Sequence, residues 1–152
     1  MSSLYEVPKE SVPVEITLIN GEALRGEVYL YKDLDAPSGT RPLETLLCVD
    51  PDPFLPFKSN SGTYRLINKH QIVFIRTFES DEAIKGRTPW PAKSLVVYFI
   101  SEQSMYGTIY PTVAEETRVS DIFNSGDLFI AIYHDRQKIV INRNHILYIS
   151  SN

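Results

Sequence analysis

The chain has 152 residues, enough for one ordinary domain or two very small ones, and carries 15 Lys+Arg against 19 Asp+Glu for a formal net charge of −4. At 43% hydrophobic and 22% charged it is too apolar for a disordered chain, and its single cysteine, Cys48, excludes a disulfide-stapled secreted domain. The N-terminal stretch lacks the basic-then-apolar pattern of a signal peptide, and the longest apolar run, Leu95 to Ile100, is far too short to span a bilayer; a cytoplasmic protein with no membrane partner is expected.

Nine tyrosines and seven phenylalanines bias the chain towards β structure. After an N-terminal arm, Val14, Ile16 and Leu18 alternate with Glu15 and Thr17, which predicts a strand. Asn20-Gly21 predicts a hairpin turn, and a second strand follows through Gly26-Glu27-Val28-Tyr29. Thr40 is a candidate N-cap for a short helix, with Glu44 four positions on. Strands are predicted over Phe54–Phe57 and Tyr64–Ile67, then a tight polar turn and a strand over Ile72–Thr77.

Residues 79–93 read as a charged linker, with Asp81, Glu82, Lys85, Gly86 and Arg87, stiffened at its end by Pro89-Trp90-Pro91. Trp90 is the only tryptophan; it reads as an anchor packed on a flank, with a partner-facing aromatic as the alternative. Glu79, Asp81 and Glu82 read as a solvated acidic cluster. Strands are then predicted over Leu95–Ile100 and Tyr106–Tyr110. Thr117 is a second candidate N-cap, with Asp121 beyond it and Asn124-Ser125-Gly126 as a stop signal. The last strands are Phe129–Tyr133, Lys138–Ile141 and Ile146–Ser150.

The two halves are copies of one pattern. Gly26 matches Gly107 at an offset of 81, Thr40-Arg41 matches Thr117-Arg118 at 77, Asp52 to Phe57 matches Asp127 to Ile132 at 75, and Ile67 to Ile75 matches Ile141 to Ile149 at 74. The drift places the extra residues of the first half in loops, where a duplicated domain tolerates them. Five closely spaced short strands per half predict a small barrel or sandwich.

Val14 to Val28 resembles the first motif of Sm and Sm-like proteins: an alternating strand, a glycine turn, and a second glycine where the next strand bends. Ile67 to Ile75 resembles the second motif, and the second half echoes both, with Glu102 in the place of Gly21. The resemblance implies an all-β fold of two tandem Sm-like (SH3-like) five-stranded small barrels with short helical inserts: 1–78 with an N-terminal arm, a linker 79–93, and 94–152. Gly26 and Gly107 are then structural. Sm-like barrels form rings by pairing the fourth strand of one with the fifth strand of the next, so three chains of two barrels give a pseudo-hexamer. Pairing of the two repeats with each other is the alternative.

The resemblance also implies single-stranded RNA at a ring pore. Asn68, Lys69 and His70, with Asn142 and Arg143, stand at the matching turns; Lys69-His70 is similar to the pore pair of the bacterial Sm-like RNA chaperone. Tyr29, Tyr31 and Tyr110 offer stacking faces. Asn68-Lys69 and Asn142-Arg143 replace the Arg-Gly of the family's second motif, and its base-holding Asp…Met-Asn element is absent. Residues 14–77 and 94–152 carry net charges of −1 and −2. These departures support a second reading, a protein-interaction scaffold that kept the barrel and lost the RNA site.

No Gly-x-Ser-x-Gly, phosphate-binding glycine loop or His-Glu-x-x-His is present, so no enzyme and no cofactor is expected. His70, His134 and His145 do not form a ligand set, and no metal is expected. Cys48 reads as a buried core thiol and His134-Asp135 as a turn. Arg41 with Glu44, and Arg118 with Asp121, read as i,i+3 pairs that stabilise short helices.

Overall fold

A computed structural model of the chain describes residues 9–32, 42–79, 81, 85, 88–114 and 118–151. The strands are β1 (Lys9–Leu18), β2 (Ala23–Tyr31), β3 (Phe54–Ser59), β4 (Tyr64–Asn68) and β5 (Ile72–Thr77), then β6 (Lys93–Phe99), β7 (Ser104–Ile109), β8 (Phe129–His134), β9 (Gln137–Asn142) and β10 (Ile146–Ser151). Two short helices, α1 (Leu43–Val49) and α2 (Val119–Phe123), precede the third strand of each half. No helix is long and apolar enough to cross a membrane.

All ten strands share one antiparallel sheet, in the order β10-β6-β7-β8-β9-β5-β1-β2-β3-β4. Each half therefore runs fifth, first, second, third, fourth. The registers repeat as well: Val14 faces Gly26, and Leu95 faces Gly107. The all-β class and the ten expected strands are observed. The sheet is continuous and open: one edge strand of each half pairs with the other half, and among the described residues β4 and β10 have no further strand beside them. β1 begins five residues before the expected Val14, since β2 extends to Tyr31 and supplies it a partner; the Lys9 ammonium lies 5.0 Å above the Tyr31 ring.

Turn chemistry sets the hairpins. Gly21 sits at φ +89, and Asn20 Oδ1 accepts the Glu22 amide. Glu102, its counterpart, holds φ +73, a region that costs a side-chain-bearing residue energy. Asp135 and Arg136, both at positive φ, make the two-residue turn between β8 and β9.

The halves meet where β5 pairs with β9: Phe74 opposite Ile141, Ile75 opposite Val140, Arg76 opposite Ile139, Thr77 opposite Lys138. Both strands are covered on two faces, which explains their unbroken apolar runs. Side chains interleave across this junction. Phe129 and Val140 belong to the core of the first half, with Leu43, Leu46, Ile72 and Ile75. Val73 and Phe74 belong to the core of the second, with Phe99, Ile130 and Ile141. The Phe74 and Phe99 rings lie 5.5 Å apart.

Several local expectations change. Cys48 lies on the exposed side of α1, not in the core; the stripe that faces inward is Leu43, Leu46 and Leu47, and Cys48 falls off it. Its thiol faces the Phe129 carbonyl at 3.6 Å. Thr40, Arg41 and Thr117 lie outside the described residues, as do Glu82, Gly86 and Arg87 of the linker. α1 starts from Pro42 without a side-chain cap, whereas at α2 the Asp121 carboxylate accepts the Arg118 backbone N–H. Trp90 is half-buried, and its backbone N–H donates to Thr88 Oγ1.

Candidate functional site

The residues chosen at the two polar turns are brought together, because the β5–β9 pairing sets the turns side by side. Each turn is a 3-10 turn, Lys69–Gln71 or Arg143–His145, opened by an asparagine. Asn68 Oδ1 accepts the His70 amide, and Asn142 Oδ1 accepts the Asn144 amide. Short polar side chains stabilise such turns by accepting a nearby backbone N–H. Asn142 also donates its Nδ2 to the Ile72 carbonyl in the other half, and His145 Nε2 donates to the His70 carbonyl at 2.7 Å.

The two cations at these turns both reach loop carbonyls. Lys69 is 5% exposed, and its ammonium donates to the Asp50 carbonyl at 3.3 Å. Arg143 donates to the Phe123 and Ser125 carbonyls at the end of α2. Both cations thus tie their turns to the loop carbonyls that precede the third strand of each half. His70 is exposed. Of the proposed stacking tyrosines, Tyr29 meets Tyr64 through their hydroxyls at 3.3 Å, and Tyr110 donates to Asp81.

A second cluster, which sequence reasoning missed, lies inside the junction. Lys138 of β9 is buried, with its ammonium 2.7 Å from Glu44 of α1 and 3.4 Å from Glu79 beyond β5. Burial alone would lower its pKa; the Glu44, Tyr133 and Glu79 charges outweigh burial and raise it. Glu44 thus pairs across the junction, whereas Arg118 and Asp121 pair locally at 2.9 Å as expected. That second pair holds Asp121 below the usual carboxylate range. Nothing in the sequence links Glu44 to Lys138, since they meet only once α1 packs on β8.

A cavity of about 130 Å³ opens beside this cluster, between Glu44, Tyr110, Phe129 and Tyr133. Burial pushes Tyr133 up to about 12, against the opposing pull of Lys138. Burial and the Asp81 carboxylate push Tyr110 up to about 12 as well. A phenol with a raised folded-state pKa keeps its full contribution to stability below the ordinary value of 10. That contribution is lost as pH climbs from there to about 12. Stability measured by urea titration is expected to fall across that window, and Tyr133→Phe should flatten the fall. An unchanged slope in Tyr133→Phe would remove that hydroxyl from the alkaline transition.

Larger open cavities flank α2 and β10. One of about 510 Å³ is bounded by Lys93, Arg118, Val119, Phe123, Ile149 and Ser151. Its neighbour, about 480 Å³, is bounded by Phe123, Asn124, Ser125, Arg143, Ile146 and Ile149. Among the described residues, no three His, Cys, Asp or Glu side chains converge as a metal site. No family model, no curated protein and no solved structure matches this chain.

Proposed function

We propose that this chain is a non-catalytic scaffold of two fused Sm-like small barrels whose working surfaces are its open strand edges. The carrying observation is how the cationic turn residues are used. Lys69 is buried on the Asp50 carbonyl, Arg143 gives its Nη1 to two loop carbonyls, and the Asn68 and Asn142 oxygens take turn amides, so this set is used mainly to hold its own loops. The same turns would have to supply the positive surface of an RNA pore, in a chain whose net charge is −4.

The Sm-like reading draws support from topology. Each half has the order fifth-first-second-third-fourth, and the halves join by fourth-to-fifth strand pairing, as the family's barrels do in rings. Exposed apolar side chains on the two outer strands support a protein-binding role: Tyr64 and Leu66 on β4, Leu147 and Tyr148 on β10. A cytoplasmic setting fits a chain with one free cysteine.

The test is titration of the full chain with short U-rich and A-rich RNA at rising salt. The expected result is no binding beyond weak, non-specific association at low salt. Tight binding that falls roughly a thousandfold between about 50 and 200 mM salt, as a single-strand site contacting about seven phosphates requires, would replace the scaffold reading with single-stranded-RNA binding.

A further inference from the structure

We propose that the small cavity at the junction of the two halves binds a methylated ammonium head group, held by the ring faces of Tyr110 and Tyr133 and by the charges of Glu44 and Asp127. The site uses none of the open strand edges, so it stands or falls apart from the scaffold reading.

Size and walls come first. The cavity measures about 130 Å³, and its lining includes Glu44, Tyr110, Asp127, Phe129, Ile130 and Tyr133. A cavity of about 150 Å³ holds a benzene ring, so this one suits a group of roughly five non-hydrogen atoms. A trimethylammonium head with the carbon that carries it is of that size. The Tyr110 and Tyr133 rings stand at 74° with their centroids 5.6 Å apart. Two aromatic walls therefore meet near a right angle, and the buried Phe129 ring lies beside them. Tyr110 donates its hydroxyl to Asp81, which fixes that ring in place. A cation is attracted to an aromatic face within about 6 Å of its centre, more strongly where water is excluded.

Charge then selects the sign of the ligand. Lys93 and Arg118 line one of the larger cavities, and Arg143 lines the other. Among the described residues, no Lys or Arg lines this one; its two charged lining residues are the carboxylates of Glu44 and Asp127. Glu79 and Asp81 act on Tyr133 from nearby, with the Lys138 ammonium opposing them. Lys138 is spent on Glu44 and Glu79, and among the described residues Asp127 has no ion pair.

The walls also decide which cation fits. A metal ion needs several convergent oxygen, nitrogen or sulfur ligands. Among the described residues no such set of three exists. A primary ammonium brings three N–H donors that each need an acceptor, and ring faces serve them poorly. A quaternary ammonium brings none, and spreads its charge over methyl groups that pack against the rings.

The duplicated pattern yields this site only once. In the first half Tyr29 matches Tyr110, but Lys58 stands at the place of Tyr133 and puts a cation where a wall is needed. Glu44 belongs to α1 of the first half, whereas Phe129 and Tyr133 belong to β8 of the second. The β5–β9 pairing brings these elements together.

The test is calorimetric titration of the full chain with three probes. They are choline, its neutral isostere with carbon in place of nitrogen, and a short peptide carrying trimethyllysine. Choline should bind at least about tenfold more tightly than the isostere. Tyr110→Phe should keep that binding, because the ring remains. Tyr110→Leu and Asp127→Asn should each weaken it about tenfold with unchanged circular dichroism. Asp127 is exposed, so its substitution spares the fold even if the loss of the Tyr110 ring does not. A trimethyllysine peptide that binds more tightly than choline, with its unmethylated form inert, supports the site and assigns the head group to a modified protein. Choline binding as well as the peptide or better supports the site and assigns it to a free small molecule. Equal binding of choline and its isostere overturns the inference, as does no binding of choline or peptide at millimolar concentration. Binding that survives both Tyr110→Leu and Asp127→Asn overturns it too, because the ligand then sits elsewhere.

Discussion

Replacing Gly26 with alanine is expected to cost about 3 kcal/mol or more, at or beyond the upper end of ordinary overpacking. Gly26 lies where β2, paired with β1 along its length, also takes up β3, with its α-carbon opposite both Val14 and Ser59. A Cβ there would overlap the Lys58 carbonyl oxygen and stand 2.6 Å from the Phe57 ring and 2.8 Å from the Ser59 α-carbon. Two of those three neighbours are backbone, and the third is a fully buried ring. None can step aside without moving β3. For a chain of this size 3 kcal/mol lowers the melting temperature by roughly 10 °C.

Gly107, its counterpart in the second half, provides the internal comparison. A Cβ there would meet the Ile132 side chain at 2.7 Å and the Tyr133 carbonyl oxygen at 3.3 Å. The closest atom is the tip of a flexible side chain, so Gly107→Ala should cost clearly less, about 1–2 kcal/mol. Urea denaturation of the two variants measures both values. Equal losses would show that the two bends are equally tight, contrary to the packing around β3.

These two glycines also show what the sequence carries. Matched glycines in matched strands announce the duplication, and period-two alternation with turn residues places all ten strands. What sits beside each strand was less legible. β5 and β10 are both unbroken apolar runs, Ile72-Val73-Phe74-Ile75 and Ile146-Leu147-Tyr148-Ile149, yet one is covered on both faces and the other is half bare. Composition says that a strand wants cover, not whether its own chain supplies it.

The candidate site was legible in part. The asparagines that open the two turns are readable, because Asn before a tight polar turn is a common cap. The course of the Lys69 and Arg143 side chains is not, since it depends on carbonyls of loops that precede β3 and β8. Cys48 was misplaced because the register of a seven-residue helix turns on one residue, and the inward stripe of α1 passes just beside it. The Lys138–Glu44 pair spans the two halves and needs the β5–β9 junction to exist first.

Phe129→Ala and Phe54→Ala are expected to behave as opposites, although the two residues hold the same place in the duplicated pattern. Phe129 starts β8 and buries its ring in the core of the first half, beside the Cys48 thiol that meets its carbonyl. Truncating it removes a buried ring and leaves a cavity that the rigid junction cannot collapse, for a loss of about 3–5 kcal/mol. Phe54 is half bare, so its truncation should cost a single chain less than about 1 kcal/mol. Urea denaturation at low protein concentration separates the two cases. Phe129→Ala should unfold both halves in one early transition, because the lost ring lies between their cores. If it instead left the second half folded while the first unfolded, the halves would be independent units joined by strand pairing alone, and the interleaved side chains would contribute little to holding them together.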